Sequence, residues 1–123
     1  MAEEQGKPRI MTGAVPVTSI DTTTKSAIDR MNVPGLIKNA NAQKFWLKPP
    51  SGEFTKIEEL DGSILAGTPD DIVRGVQRYQ ELGCDLLVFD FRMRYPDWIE
   101  QIETLAREVL PRVSGSRTGA AAR

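Results

Sequence analysis

Histidine is absent from the sequence, and Cys84 is its single cysteine. These absences exclude an internal disulfide, a zinc site built from His and Cys, and any catalytic triad that needs an imidazole. No apolar run approaches the roughly 18 residues of a membrane-spanning helix. Residues 1–4 are acidic and polar where a secretory signal would be basic and then apolar. We therefore predict a cytoplasmic protein without a membrane partner.

The sequence also has no large excess of charge of either sign. Sixteen Lys and Arg residues stand against seventeen Asp and Glu residues, which leaves a formal net charge of -1. This balance gives no electrostatic basis for nucleic acid as a partner. The 123 residues, 40% of them hydrophobic, have room for one domain with a modest core. We predict disordered tails at residues 1–7 and 114–123, where nothing apolar can be buried, and one domain at 8–113.

The first half carries mixed local signals. Apolar residues alternate irregularly with polar ones in residues 9–20, which predicts an extended segment that Pro16 weakens as a central strand. Asp21 is a candidate N-cap for a helix that residues 32–35 interrupt. A further helical turn is expected at 36–40, followed by an irregular connection at 46–54.

The second half predicts a strand, a helix and a second strand. A short apolar stretch at 63–66 stops at Gly67, and Thr68 then fits an N-cap with Pro69 at the first helical position. Asp70 and Asp71 place negative charge at the positive end of the helix dipole. Apolar residues recur at three- and four-residue spacing until the helix ends at 82–83.

The next apolar run, 86–91, predicts a strand that is buried on both faces, as in parallel sheets covered by helices. A last amphipathic helix is expected to begin near 96–97 and to stop before Pro111. Its predicted inner face comprises Trp98, Ile102, Leu105 and Val109, with Ile99 and Ala106 beside them. The second half is therefore predicted to be a β-α-β-α unit of an α/β protein.

Four features of this half follow one another in order, namely LAGTPDDI at 65–72, Tyr79, LGCDLLVF at 82–89 and EVLP at 108–111. In this order they resemble the closing segments of luciferase-like monooxygenases. In that family a glycine-threonine-proline-acidic signature opens the seventh barrel helix, a glycine-any-aspartate pattern leads into the eighth strand, and glutamate-valine-leucine-proline closes the last helix. The matching segments cover somewhat under half of the chain, and residues 8–62 are compatible with the family's preceding strand, helix and loop.

The resemblance implies a (β/α)₈ barrel that binds reduced flavin mononucleotide (FMN) or the deazaflavin F420 and performs oxygen insertion or hydride transfer on a small organic substrate. A complete barrel takes about 250 residues, so this chain supplies at most two or three of the eight units. The resemblance therefore predicts the C-terminal part of a flavin- or F420-dependent monooxygenase or oxidoreductase, inactive alone. The alternative is a non-catalytic α/β half-barrel that associates with another copy or with a partner chain that completes the barrel.

Barrel chemistry lies at the carboxyl ends of the strands. The candidate cofactor-binding residues are therefore Gly67 and Thr68 after one strand, and Arg92 and Arg94 after the next. Arginines there hold a phosphate or carboxylate through paired N–H donors. The alternatives are helix capping by Gly67 and Thr68, and a solvated loop for the two arginines.

The candidate substrate-binding residues are Asp90, Phe91 and Trp46. Asp90 interrupts an apolar run as a buried acid would, or it is a carboxylate bonded to backbone or to an arginine. Trp46 faces a ligand at the barrel mouth or covers a core edge. Cys84 lacks a histidine to activate it, which favours packing over catalysis. The sequence identifies no catalytic residue.

Overall fold

The computed structural model describes residues 10–44 and 46–113, so the predicted tails at 1–7 and 114–123 lie outside the described residues. Short strands alternate with helices along this part of the chain. None of its helices combines the length and the apolar character needed to cross a membrane. The elements are β1 (Gly13–Ala14), β2 (Val17–Ile20), α1 (Thr24–Asp29), α2 (Val33–Ala42), a 3₁₀ turn (Ile57–Leu60), β3 (Ile64–Gly67), α3 (Pro69–Glu81), β4 (Leu86–Leu87), a second 3₁₀ segment (Arg92–Asp97), α4 (Trp98–Thr104), a π-helical segment (Leu105–Val109) and α5 (Leu110–Val113).

The central strand of the sheet is the segment that contains β1 and β2. On one side β2 pairs in parallel with β3, with Val17 opposite Ile64. On the other side β1 pairs in parallel with β4, with Gly13 opposite Leu86, and Val17 forms a further parallel bridge with Asp90. The spatial order is therefore β3, then β1 and β2, then β4.

Pro16 divides this central strand in two. The N–H groups of Val88 and Asp90 donate to the carbonyls of Ala14 and Pro16, at 2.9 and 3.1 Å. Pro16 has no N–H to donate in return, so the ladder is interrupted between β1 and β2. The predicted weakening by Pro16 is confirmed, although the segment is central and not at an edge.

Helices cover both faces of the sheet, which gives the chain two apolar cores. Val17 and Ile64 pack with α2, whereas Ile20 and Leu65 pack with α3 and with the C-terminal helical segments. Neighbouring residues of a strand point to opposite faces, so each strand contributes to both cores. The predicted α/β class with parallel strands and covering helices is confirmed.

Two details of the first half differ from prediction. Thr23, not Asp21, caps α1, because its hydroxyl accepts the N–H of Ser26 at 3.0 Å. Asn32 adopts a left-handed conformation, with a φ of 47°, and its side chain accepts the N–H of Gly35. Residues 30–32 therefore separate α1 from α2, and residues 33–35 of the predicted break are helical.

The prediction that 86–91 is buried on both faces is wrong. Leu86 is 55% exposed and Val88 45% exposed, while Leu87 and Phe89 pack partly against the core on the other face. The reason is position, because β4 lies at the edge of the sheet. Within the described chain, α1 and α2 cover the sheet near β2 and β3 and leave this part of the face open.

The C-terminal helical region also differs from prediction at its end. It continues past Pro111 to Val113, because a π-helical turn precedes the proline. In that turn the N–H of Leu110 donates to the carbonyl of Leu105, five residues back. The wider turn tolerates a proline that lacks the N–H an α-helix requires.

The inward stripe of this region is shifted from the predicted one. Leu105 and Val109 are buried as expected, but Trp98 and Ile102 are exposed. Gln101 is buried in their place. The reason is that a polar side chain at this position satisfies the backbone at the end of β2, which outweighs apolar periodicity.

Candidate functional site at the carboxyl edge of the sheet

The loops that follow the strands meet at one edge of the sheet. Asp21 follows β2, and its N–H donates to the carbonyl of Gly67, the last residue of β3, at 3.0 Å. Beyond β4 the chain passes Asp90, opposite Val17 at the start of β2, and reaches the edge with Arg94, which bonds to Ser19 and Ile20. Parallel strands bring their carboxyl ends together, and this edge is where open α/β proteins bind ligands. We call it the carboxyl edge.

Arg94 is the most buried charged residue described at this edge, at 2% exposed. Its Nη1 donates to Oγ of Ser19 at 2.8 Å and to the carbonyl of Ile20 at 3.2 Å. Its Nε donates to Asp97 at 3.0 Å, and its Nη2 donates to the same carboxylate. Arg94 is therefore not a solvated loop residue, and its donor groups are directed at protein acceptors.

Arg30 completes a charged cluster with Asp21, Arg94 and Asp97, which we call the carboxyl-edge cluster. Its Nη1 lies 2.9 Å from Asp21, and its Nη2 lies 3.3 Å from Asp97. Arg94 also approaches Asp21, at 3.5 Å. The two guanidinium groups and two carboxylates balance in charge, so both acids are held ionised.

The pKa values of the two acids reflect this arrangement. Burial favours a raised pKa for Asp21, but the N–H of Thr22 and the guanidinium groups of Arg30 and Arg94 outweigh it and lower the pKa. The hydrogen bond from Arg94 is the main cause that lowers the pKa of Asp97. Both carboxylates are consequently stabilised in their charged form.

Gln101 takes the place of a strand beside Ile20. Its Oε1 accepts the N–H of Ile20 at 2.8 Å, and its Nε2 donates to the Ile20 carbonyl at 2.9 Å. The chain turns away from β2 after Asp90, so no further residue of that strand can make these bonds. The side-chain amide of Gln101 reproduces the missing backbone pair.

A cavity of about 290 Å³ opens beside the cluster. This volume is just below the roughly 300 Å³ at which pockets for drug-sized ligands begin, so it admits a small anionic or polar group but not a whole flavin. Arg30 is half-exposed at the cavity. The lining residues are Ile20, Asp21, Thr22, Arg30, Pro69, Arg94, Asp97, Gln101, Thr104 and Glu108.

Gly67 and Thr68 lie at the same edge, and the structure gives them a capping arrangement. The N–H of Thr68 donates to Asp71 at 2.9 Å, and the Thr68 hydroxyl accepts the N–H of Asp71 at 3.2 Å. The hydroxyl of Thr24 also donates to Asp71, at 2.8 Å. These bonds, led by that from the Thr68 N–H, lower the pKa of Asp71. The Asp71 carboxylate thus occupies the position that an anionic ligand would take.

Gly67 cannot be replaced without moving that carboxylate. Its φ is 152°, and a Cβ at this position would collide with the side chain of Asp71. Glycine is needed here because the turn from β3 into α3 brings the backbone against the cap.

Asp90, Phe91 and Arg92 follow β4. The Asp90 carboxylate is only 10% exposed and accepts Nε of Arg92 at 2.9 Å and its backbone N–H at 3.0 Å. The hydrogen bond to Asp90 raises the pKa of Arg92. Arg92 is 72% exposed, so its guanidinium is accessible to an external anion, and Phe91 packs partly against the core.

Trp46 lies at the opposite end of the sheet. It lines a groove with Pro16 and Ser63, the residue that precedes β3. Its ring meets that of Phe54 edge to face, with centroids 6.0 Å apart. The half-buried Cys84 donates its thiol to the carbonyl of Leu86 at 3.2 Å, which is a packing arrangement. Neither residue reaches the carboxyl edge.

The structure therefore places three of the seven predicted site residues at the carboxyl edge, namely Gly67, Thr68 and Arg94. Asp90 lies opposite Val17 at the start of β2, with Phe91 and Arg92 after it, and Trp46 lies apart beside Pro16. Sequence reasoning missed Arg30, Asp97 and Gln101, because each meets its partners only after folding. A signal was present for Asp21, which directly follows a strand. No protein-family model matches the sequence, and no curated protein matches it.

Proposed function

We propose that this chain is the C-terminal part of a flavin- or F420-dependent oxidoreductase of the luciferase-like type that acts on a small organic substrate. The observation that carries the proposal is the order of its motifs along one parallel βαβ unit. β3 leads through the cap at Thr68 into α3, and the chain then returns through β4 with its cationic loop at the carboxyl edge. The order of the motifs along the chain is what supports the proposal.

When bound, the flavin or deazaflavin supplies the hydride-transfer or oxygen-insertion chemistry. The chain's contribution is to hold the anionic part of the cofactor. Arg92, in the loop that leads to the edge, and Arg30, at the edge, have exposed guanidinium groups. Arg94 is buried and Thr68 caps α3 through Asp71, so these two residues position the loops. Arg92 is therefore the phosphate contact that we propose, with Arg30 beside the cavity as a second.

We propose a barrel only for an assembly of this chain with another chain. In a barrel, the two strands joined by α3 are neighbours. In this chain the segment of β1 and β2 lies between β3 and β4. The single chain has an open sheet, and a cofactor site large enough for a flavin requires additional strands from another chain. This is the physical reason for proposing that the chain is inactive alone.

The proposal is tested by fluorescence titration of the purified chain with FMN and with F420, while light scattering reports assembly. We expect saturable binding by the assembled protein, and about tenfold weaker binding by Arg92→Met, since a charge-assisted hydrogen bond contributes about 1.5 kcal/mol or more. The matched control is Lys25→Met, which removes another exposed cation, from α1. Folded, assembled protein that binds neither cofactor would overturn the proposal.

A second candidate function is a non-catalytic α/β module that works by association. The observation that favours it is the half-exposed apolar side chains along β4. Exposed sheet edges pair readily with other strands. Assembly without cofactor binding in the same titration would place this function first.

A further inference from the structure

The extended segment at residues 86–90 begins with β4 and has backbone groups that point away from the sheet. We call this free side the outer edge of β4. The N–H groups of Leu86, Val88 and Asp90 donate inward to the central segment, at 3.1, 2.9 and 3.1 Å. Backbone groups alternate in direction along a strand, so those of Leu87 and Phe89 point outward. Within residues 10–44 and 46–113 no backbone partner meets them.

Nothing in the sequence of this edge prevents pairing. Natural edge strands are protected by lysine, proline or bulges, and residues 86–89 are Leu, Leu, Val and Phe. The strand offset is the same at the Gly13–Leu86 pair and at the Val17–Asp90 bridge, so no bulge twists the edge away. A net charge of -1 also gives little repulsion between two copies.

The flanking backbone groups restrict the possible registers. The N–H of Asp85 already donates to Thr12 at 2.9 Å, and the carbonyl of Phe91 accepts the N–H of Arg94 at 2.8 Å. Only Leu87 and Phe89 remain available on both sides of Val88. A strand that pairs with Leu87 and Phe89 must be extended. It must also have two residues with outward backbone groups and one residue between them, which is the arrangement of this edge itself.

We propose that two copies of this chain pair antiparallel through β4, about a two-fold axis at Val88. Leu87 of each copy exchanges both backbone hydrogen bonds with Phe89 of the other. Val88 then faces Val88 of the second copy, with Cβ atoms about 4.5–5.5 Å apart. Asp90 lies opposite Leu86 and Asp85 opposite Phe91, so no carboxylate faces another. The result is a continuous six-stranded sheet, which depends on the open edge and not on cofactor binding.

The first test is sedimentation velocity of the full chain with charges at the axis. We expect the unaltered chain to be a dimer, and both Val88→Lys and Val88→Glu to be monomers, because each places like charges side by side. An equimolar mixture of the two variants should recover a dimer, since the axis then joins opposite charges. The matched control is Leu82→Lys, an exposed position at the end of α3, which should remain dimeric.

A monomeric unaltered chain, or a Val88→Lys variant that stays dimeric, would overturn the proposal. Circular dichroism checks that the variants are folded.

A cross-link supplies an independent test in which folding is little disturbed. Cys84→Ser removes the native thiol, and Val88→Cys places one at the axis. Oxidation should link the dimer covalently, because the Cα atoms of a non-hydrogen-bonded antiparallel pair lie about 4.5 Å apart, within the range that disulfides span. A non-covalent dimer that resists this cross-link contradicts the register. Cofactor titration is a separate readout, so failure of one proposal leaves the other standing.

Discussion

At the carboxyl edge of β2 and along the outer edge of β4, a strand lacks a neighbouring strand. The two edges differ in what binds the backbone groups there. At Ile20 the side chains of Gln101 and Arg94 supply the missing hydrogen bonds from within the chain. Along β4 no described element does so, and the side chains there are apolar and half-exposed. In this short three-stranded sheet, polar side chains from the adjacent helical region therefore satisfy the backbone at one edge. The backbone of the other edge has no such partner among the described residues.

The largest expected effect comes from removing the buried arginine. Arg94→Met should lower the free energy of unfolding by about 3–5 kcal/mol, because it leaves the carboxylates of Asp97 and Asp21 without a buried partner. Urea denaturation followed by circular dichroism measures this loss. Arg107→Met is the control, since it removes an exposed guanidinium from the exposed pair with Glu108 and should cost about 1 kcal/mol or less. Equal losses would remove the distinction between the two arginines.

Gln101→Leu should cost about 2–3 kcal/mol, because the N–H of Ile20 then has no partner in the core. The same denaturation experiment applies. Glu103→Leu, at an exposed position of the same helix, should change stability by no more than about 0.5 kcal/mol. Tolerance of Gln101→Leu would mean that the side-chain amide does not substitute for a strand.

Protonation of the acids at the carboxyl edge should destabilise the fold. The pKa values of Asp21, Asp71 and Asp97 are lowered in the folded protein, so protons bind more readily to these groups when the chain is unfolded. Their contribution to stability is fully present above the unfolded pKa of about 4 and is lost as the pH falls through the folded values. Urea midpoints should therefore be level from pH 7 to 5 and should fall below about pH 4. Midpoints that stay constant to about pH 3 would contradict this linkage.

The smallest expected effect is at the open edge. Val88→Thr should change stability by no more than about 0.5 kcal/mol, measured at a concentration at which the chain is monomeric, because Val88 is half-exposed. Val17→Thr is the matched substitution in the buried central strand and should cost about 1–3 kcal/mol. Similar losses at the two valines would show that the β4 face is covered in solution.

Local signals predicted the elements whose causes are local. The cap at Thr68, the proline at position 69 and the two acids after it act within one helical turn, and α3 begins where they indicate. Asp21 shows the limit of such signals. Its position before a possible helix predicts a cap. The guanidinium groups of Arg30 and Arg94 bind it instead, and both arginines lie later in the sequence.

The sequence by itself determined the α/β class, the parallel βαβ unit and the polar character of the carboxyl edge, because periodicity, caps and strand-end residues act over a few neighbours. The tertiary structure alone decided that β1 and β2 lie between β3 and β4, that Arg94 and Gln101 are buried, and that Leu86 and Val88 are exposed. A run of leucine and valine has the same sequence whether it forms a central strand or an edge strand. Their burial depends on which elements pack beside them, and that choice is made by contacts between residues far apart in the chain.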